Sequence, residues 1–171
     1  MSRCFLNSRV VVVASALLGA SVLTGCGFTP MYATPGLSAG LSSIEVVAPQ
    51  GRVGFLLRED LDDALGHNKA AAPRWRLEMT VDQSRSPRGL TVEDVAERYV
   101  LAISVSYKLT DTSTGKVAHA GVVNSQVSYD AADAPYAAIA ARQDTQERVA
   151  SDAARKIQID VAAWMAGQSG G

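Results

Sequence analysis

Two stretches of strict alternation between apolar and other side chains limit this chain more than any other feature of its sequence. The first stretch covers residues 74–82 and the second covers residues 97–110. Their apolar members are Trp75, Leu77, Met79 and Val81, and then Tyr99, Leu101, Ile103, Val105, Tyr107 and Leu109. A period of two places successive side chains on opposite faces of a strand. The sequence therefore predicts a sheet with one buried face.

Weaker signals before these stretches predict a short strand and a helix. An apolar run at residues 44–49 ends in Pro49, which predicts a strand closed by proline. Residues 53–66 have apolar side chains at helical spacing and end in Gly66, a helix stop signal. The predicted apolar face consists of Val53, Leu57, Leu61, Ala64 and Leu65.

The segments between and after the alternating stretches predict a loop and a hairpin. Residues 83–96 contain Pro87 and Gly89, which favour a long loop. Residues 111–116 predict a turn that leads into a return strand. In that strand, the residues expected in phase on one face are Val117, Val123, Val127 and Tyr129.

A long alanine-rich helix is predicted at the end of the chain. Asp133 is a plausible N-cap, Pro135 suits the first turn, and the helical pattern continues to Met165. Its apolar stripe consists of Val149, Ala153, Ile157, Val161 and Trp164. Asp144 and Glu147 have the spacing of a capping box, so a break at residues 143–145 stays open.

The order of elements defines the fold class. A strand, a helix, three strands and a helix predict an α+β domain: a four-stranded, mostly antiparallel sheet with two helices packed on one face. This domain is expected at residues 44–166, followed by a disordered tail at residues 167–171.

The N-terminal segment has the pattern of a signal peptide. Arg3 and Arg9 precede an apolar run at residues 10–23, which is too short for a membrane-spanning helix of about 20 residues. The run ends in "LTGC", the bacterial lipobox. Cleavage between Gly25 and Cys26 would remove residues 1–25 and leave Cys26 as an N-acyl, S-diacylglycerol cysteine. Such a triacylated residue exceeds the two signals that stable membrane anchoring requires.

The residues after Cys26 favour a location in the outer membrane. Gly27 follows the cysteine, whereas an Asp at that position retains lipoproteins in the inner membrane of many Gram-negative bacteria. The expected location is the inner leaflet of the outer membrane, with the body in the periplasm. Residues 26–43 are rich in Gly, Pro, Ser and Thr and predict a lipidated tether without regular structure.

Charge and composition exclude several classes of function. The full chain has 16 basic and 17 acidic residues. Removal of the signal peptide takes away Arg3 and Arg9 and no acidic residue, so the mature chain has a net charge of about −3. This balance argues against nucleic-acid binding. With Cys26 lipidated, the mature chain has no free thiol, which excludes disulfides, a cysteine nucleophile and a cysteine-based metal site.

The sequence contains no catalytic pattern. His67 and His119 have no ligand-type neighbours in sequence, so structural roles are expected for both, and no GxSxG or HExxH motif occurs. We expect neither an enzyme nor a resident metal, and no cofactor apart from the covalent lipid on Cys26.

Four arginines are the candidate binding residues. Arg74, Arg76, Arg85 and Arg88 fall on one predicted strand and the loop after it. Guanidinium groups pair well with phosphates, so these side chains could contact anionic lipid head groups. An ordinary charged outer face of the sheet explains each of them as well.

These segments together resemble the LptE family of lipopolysaccharide-assembly lipoproteins, in its alphaproteobacterial form. The resemblance rests on "CGFTPMY" after the lipobox, "ERYVLAISVSYKLTDTSTGKV", "SYD" and "PYAAIAARQDTQERVASDAARKI". It implies two helices on a four-stranded sheet, and a plug in the lumen of LptD, the outer-membrane barrel that inserts lipopolysaccharide into the outer leaflet. It also implies that the chain assists assembly of the barrel and binds lipopolysaccharide through basic residues.

Two alternatives stay open from the sequence. An auxiliary lipoprotein of a lipid-transport ABC system would have similar size and a similar anchor. A lipid-linked periplasmic enzyme would need catalytic residues, for which His67 and His119 are the available candidates.

Overall fold

The computed structural model describes residues 36–47, 49–90 and 96–169. Its elements in chain order are α1 (Leu37–Ser42), β1 (Ile44–Val47), α2 (Arg52–Leu65), β2 (Trp75–Leu90), β3 (Ala96–Asp111), β4 (Val117–Asp130) and α3 (Pro135–Ser169). The predicted signal peptide, the lipobox with Gly25 and Cys26, and most of the predicted tether lie outside these residues.

The four strands form one sheet in the order β1-β2-β3-β4. β1 is parallel to β2, whereas the β2–β3 and β3–β4 pairs are antiparallel. Because β1 pairs only with residues 75–78, the rest of β2 has an open edge in the described part of the chain. The predicted α+β class and the mostly antiparallel sheet are confirmed.

The core lies between one face of the sheet and the helices. The predicted alternation holds, since Leu77 and the apolar members from Leu101 to Leu109 are buried. The two helical stripes are confirmed with one exception each, because Ala64 and Trp164 are only half-buried. Helix α2 ends where predicted, at Gly66, whose φ of 63° is a left-handed conformation that favours glycine.

The predicted tether is wrong in its last residues. Residues 37–42 form helix α1, with Leu37 and Leu41 only 2% and 3% exposed. These two leucines are one helical turn apart, so both side chains point into the core. The glycine and serine residues around them are typical of a tether, so composition alone did not predict this short helix.

The predicted loop at residues 83–96 is also wrong over most of its length. β2 continues to Leu90 and β3 begins at Ala96, so the two strands form a long hairpin. Pro87 is tolerated because β2 has an open edge here, where a missing N–H group breaks no ladder bond. We call residues 83–90 and 96–101 the distal hairpin.

The return strand contains a register shift that the sequence did not reveal. Leu109 pairs with His119, whereas Thr110 pairs with Val117, so Ala118 is an extra residue. Such a bulge moves one side chain to the other face. Val117 is therefore 55% exposed and out of phase with Val123, contrary to the prediction.

Helix α3 is continuous from Pro135 to Ser169, so the break considered at residues 143–145 is absent. Thr145 and Gln146 are buried at that point, and the Thr145 hydroxyl donates to the Ala141 carbonyl oxygen within the helix (2.6 Å). The helix also enters the predicted tail, because it includes Gly167 and Gln168.

Candidate functional site

The four candidate arginines do not form one cluster. All four are exposed, but Arg74 and Arg76 lie at the start of β2, whereas Arg85 and Arg88 lie in the distal hairpin. Nine residues of strand separate Arg76 from Arg85, about 30 Å at 3.3 Å per residue. The sheet therefore offers two separate basic regions.

At the start of β2, one of the two arginines has an anionic partner. The Arg74 guanidinium lies over the Trp75 ring, 5.2 Å from its centroid. The Arg76 Nε donates to a carboxylate oxygen of Glu45 on β1 (3.1 Å). Both groups of this exposed ion pair are well solvated, so it contributes little to stability. This region offers less free positive charge than the sequence suggested.

The distal hairpin combines an arginine with stacked aromatic rings on the helix side of the sheet. The Arg85 guanidinium lies 4.5 Å from the centroid of the Tyr99 ring. Tyr99 stacks in turn on Tyr129 of β4, with centroids 5.7 Å apart. Cation–π contact and stacking hold the guanidinium over a flat surface and leave its N–H groups available.

On the other face of the hairpin, Arg88 lies beside a second arginine that sequence reasoning missed. Arg88 pairs in register with Arg98, and Arg98 pairs with Asp130. Arg98 Nε donates to Asp130 Oδ1 (2.8 Å). A shallow hollow of about 360 Å³ is lined by Arg88, Gly89, Arg98 and Asp130. Only the hairpin register reveals Arg98, because its place beside Arg88 depends on the pairing of β2 with β3.

The distal hairpin is therefore the more promising candidate site. Three described guanidinium groups lie in it, those of Arg85, Arg88 and Arg98, and Asp130 of β4 pairs with the last of them. Guanidinium forks suit phosphate and carboxylate ligands. Strand β2 is open at this level, since its residues 82–89 are all exposed, whereas Leu101 opposite Arg85 on β3 is buried.

A second polar cluster joins α3 to the sheet. The Asp160 carboxylate accepts hydrogen bonds from the Tyr107 hydroxyl and from Nε2 of His119 (2.6 Å). The His119 ring also stacks on Trp164, with centroids 5.4 Å apart. This arrangement fits the structural role that the sequence suggested for His119.

The ionisation of this cluster follows its hydrogen bonds. The Tyr107 hydroxyl, followed by His119, lowers the pKa of Asp160. Burial, followed by the bond to Asp160, raises the pKa of Tyr107. Asp152 of α3 is similar, since Lys156 and then the Ser125 hydroxyl lower its pKa. These groups fasten α3 to β3 and β4, which is a structural task.

A metal centre and a membrane-spanning helix are both absent from the described residues. No group of three or more His, Cys, Asp or Glu side chains in that part of the chain could hold a metal ion. Among the same residues, no helix has the length and apolar character needed to span a membrane. His67 lies half-buried after α2.

The structure is an α+β domain with helices on one face of the sheet and an open face on the other. The sequence model of the LptE lipopolysaccharide-assembly family matches residues 41–161. The chain therefore belongs to the LptE family of lipopolysaccharide-assembly lipoproteins. No curated protein sequence matches it.

Solved structures of lipoproteins are similar to this chain. A putative lipoprotein from Caulobacter crescentus CB15 is 50% identical, with a TM-score of 0.68 over 78% of this chain and 97% of its own. Rare lipoprotein B from Shewanella oneidensis is 18% identical, with a TM-score of 0.52 over 73% and 96%. A minor lipoprotein from Acinetobacter baumannii is 17% identical, with a TM-score of 0.51 over 70% and 88%. The last two likenesses concern the fold alone.

Proposed function

We propose that this chain is the plug subunit of a lipopolysaccharide translocon and works with an LptD-type outer-membrane barrel. The observation that carries the proposal is the LptE family match over residues 41–161. The open sheet face supports it, because the lumen of such barrels is polar. That face carries charged, hydroxyl and small side chains, including Glu78, Thr80, Ser106 and Lys108.

The proposal includes a lipid anchor and no catalysis. Cys26 would carry the acyl chains in the inner leaflet of the outer membrane, with the domain in the periplasm and the barrel lumen. The tether between Cys26 and α1 is at most ten residues, about 35 Å when fully extended. The domain would therefore stay close to the membrane surface and need no cofactor beyond that lipid.

The distal hairpin is the proposed contact for lipopolysaccharide. Lipopolysaccharide carries phosphate and carboxylate groups, which match the guanidinium groups of Arg85, Arg88 and Arg98. Arg74 and Arg76 contribute less in this proposal, because Arg76 already pairs with Glu45 and, among the described residues, no third arginine lies beside them as Arg98 lies beside Arg88 in the distal hairpin.

Affinity purification from the native membrane tests the proposal. The tagged full chain is extracted in mild detergent, and an untagged strain serves as the control. We expect a large β-barrel protein to co-purify and to stay bound through gel filtration. Recovery of an inner-membrane ATPase complex would instead make the chain an auxiliary lipoprotein of a lipid-transport ABC system. Recovery of neither would refute both assignments.

A further inference from the structure

A hollow of about 480 Å³ lies at the end of the sheet where β2 begins, opposite to the distal hairpin. Helix α1, the start of β2 and the last turns of α3 surround it, and Gly36 belongs to its wall. Its base is apolar, because the buried side chains of Leu37 and Met165 lie there. The rings of Trp75 and Trp164, which meet edge to face, add to the apolar lining. An apolar hollow with a few polar groups at its edge is a usual form of ligand site.

The polar groups at the rim of this hollow are Arg74 and Gln168, and both residues are exposed. The Arg74 guanidinium lies 5.2 Å from the centroid of the Trp75 ring, and this cation–π contact leaves its N–H groups available. Arg74 forms no salt bridge within the described residues. Hydrogen bonds from Ser113 and, to a smaller extent, the charge of Arg74 lower the pKa of Asp111, whose Oδ1 already accepts the Ser113 bonds.

An apolar base beside a guanidinium group fits a ligand that is apolar at one end and anionic at the other. A phospholipid has this form, since its phosphodiester is joined through glycerol to its acyl chains. Guanidinium forks bind phosphate oxygens in pairs. Tryptophan is enriched at the level of membrane head groups, where one side of the ring is apolar and the other is wet. The side chains of the hollow therefore match the chemistry of a phospholipid head group.

The length of the chain before Gly36 supports the same ligand. Nine residues separate Gly36 from Cys26, the predicted lipid attachment site, so this segment spans at most about 35 Å. The distal hairpin lies farther along the sheet, because Gln83 follows Trp75 by eight residues of β2, about 26 Å at 3.3 Å per residue. The hollow therefore has the shorter connection to the anchored leaflet. That leaflet, the inner one of the outer membrane, consists of phospholipid, whereas lipopolysaccharide occupies the outer leaflet.

From these features we propose that the hollow holds the head group of a phospholipid from the leaflet that carries the anchor. In this arrangement the phosphodiester oxygens accept hydrogen bonds from the Arg74 guanidinium and from the side-chain amide of Gln168. The glycerol and the first acyl carbons lie against the rings of Trp75 and Trp164. The domain then rests on the membrane at this end, and the distal hairpin points away from the leaflet. The inference rests on the lipid anchor of the proposed function and adds a ligand and an orientation to it.

Nitroxide accessibility in the acylated, full-length protein tests the contact. A spin label is attached to Ala118→Cys, which lines the hollow, or to Ala131→Cys, an exposed alanine just after β4 at the other end of the sheet. The unaltered chain controls for labelling of other thiols. Each protein is reconstituted into vesicles of phosphatidylethanolamine and phosphatidylglycerol. We expect the label at residue 118 to collide mainly with oxygen, which concentrates in the bilayer, and the label at residue 131 to collide mainly with a nickel chelate, which stays in water.

The charge and the phosphate are tested separately in the same assay. Arg74→Glu should lower the ratio of oxygen to nickel accessibility at residue 118 several-fold, and the acyl chains keep this variant in the membrane. Lys69→Glu is the matched control, since it makes the same charge change at an exposed residue of the loop before β2 and should leave the ratio unchanged. Both variants should keep the wild-type melting temperature, because both residues are exposed. Vesicles of digalactosyldiacylglycerol, which has no phosphate, should give the low ratio with the unaltered hollow.

The outcomes separate this inference from the proposed function. A water-exposed label at residue 118, in a chain that sediments with the vesicles, would overturn the inference and leave the anchor intact. A chain that does not sediment with them would refute the anchor and the inference together. An equal ratio in the phosphate-free vesicles would overturn the phosphate contact. Shielding of residue 118 by lipopolysaccharide micelles but not by phospholipid would assign the hollow to lipopolysaccharide and overturn the inference.

Discussion

At the scale of single residues, Asp160 links more of the domain than any neighbouring side chain. Its carboxylate joins α3 to β3 through Tyr107 and to β4 through His119. Tyr107 can approach it because Gly121, opposite on β4, has no side chain. A Cβ at residue 121 would lie 2.5 Å from the Tyr107 hydroxyl oxygen and 2.7 Å from its Cζ. The cluster therefore depends on one absent methyl group.

We expect Asp160→Asn to lower thermal stability in a pH-dependent way. The pKa of Asp160 is lowered in the fold, so its ionised carboxylate stabilises the folded state. This contribution to the free energy of unfolding is fully present above the ordinary carboxyl pKa of about 4, and it is lost as the pH falls through the lowered pKa of the folded state. Wild type and variant should differ in melting temperature at pH 7 and converge as the pH falls through the folded pKa of Asp160. Asp130→Asn, at an exposed ion pair, should change little at either pH. A difference that persists at low pH would contradict this assignment.

Gly121→Ala should destabilise the domain by about 1–3 kcal/mol, because the new methyl group displaces the buried Tyr107 ring. Urea unfolding measures the change. Gly167→Ala is the matched control, since a Cβ there meets nothing within 4 Å. Adding Tyr107→Phe to Gly121→Ala should recover only part of the loss, because the ring carbon still clashes.

At the scale of elements, the sequence predicted the strands that a repeating pattern marks. It missed the features that depend on how two strands pair. The period-two pattern from Tyr99 to Leu109 identified strand β3, because the alternation of apolar and other side chains there follows the alternation of burial. The bulge beside Val117 depends on the register with β3, and no local pattern encodes it. Arg98 was missed for the same reason, since its place beside Arg88 exists only when the distal hairpin has formed.

The role of helix α1 in the core can be tested directly. The sequence predicted a tether without regular structure at these residues. Leu41→Ala should cost about 2–4 kcal/mol in unfolding free energy, because Leu41 is 3% exposed and truncation leaves a cavity. Ser38→Ala, on the exposed side of the same helix, should be nearly neutral. Equal stability of Leu41→Ala and wild type by urea unfolding would mean that this segment does not belong to the core.

The distal hairpin and the start of β2 can be compared as binding elements of one strand. Arg85→Glu with Arg88→Glu should weaken lipopolysaccharide binding at least about tenfold, as expected when charged contacts worth 1.4 kcal/mol or more are lost. Arg74→Glu with Arg76→Glu is the matched pair at the other end and should have a smaller effect. Binding to immobilised lipopolysaccharide measures both. The reverse order would move the site to the start of β2.

At the scale of the whole molecule, the sheet has a packed part and an open part. On β2 one face is covered from the start of the strand to about Met79, whereas on β3 the same face is buried as far as Leu101, opposite Arg85. The opposite face is uncovered by any element in the described residues. A domain built in this way has its stability at one end and its accessible charges at the other.

The predicted lipid anchor belongs to this scale, because it concerns location and leaves the domain unchanged. Cys26→Ala should move the protein from the membrane fraction to the soluble fraction and prevent the mass increase expected from acylation. The domain should unfold at the same urea concentration as the lipidated form, since α1 and all later elements are intact. Membrane partitioning of this variant at the processed mass would refute the anchor.

The contact between Trp75 and Trp164 has an optical consequence. These are the two tryptophans of the chain, their rings meet edge to face 5.5 Å apart, and His119 stacks on one of them. Tryptophan fluorescence from this protein therefore originates at a single place, where the last turns of α3 meet the beginning of β2. The protein contains its own spectroscopic probe of that junction, whereas the distal hairpin, whose rings are tyrosines, can change without altering tryptophan fluorescence.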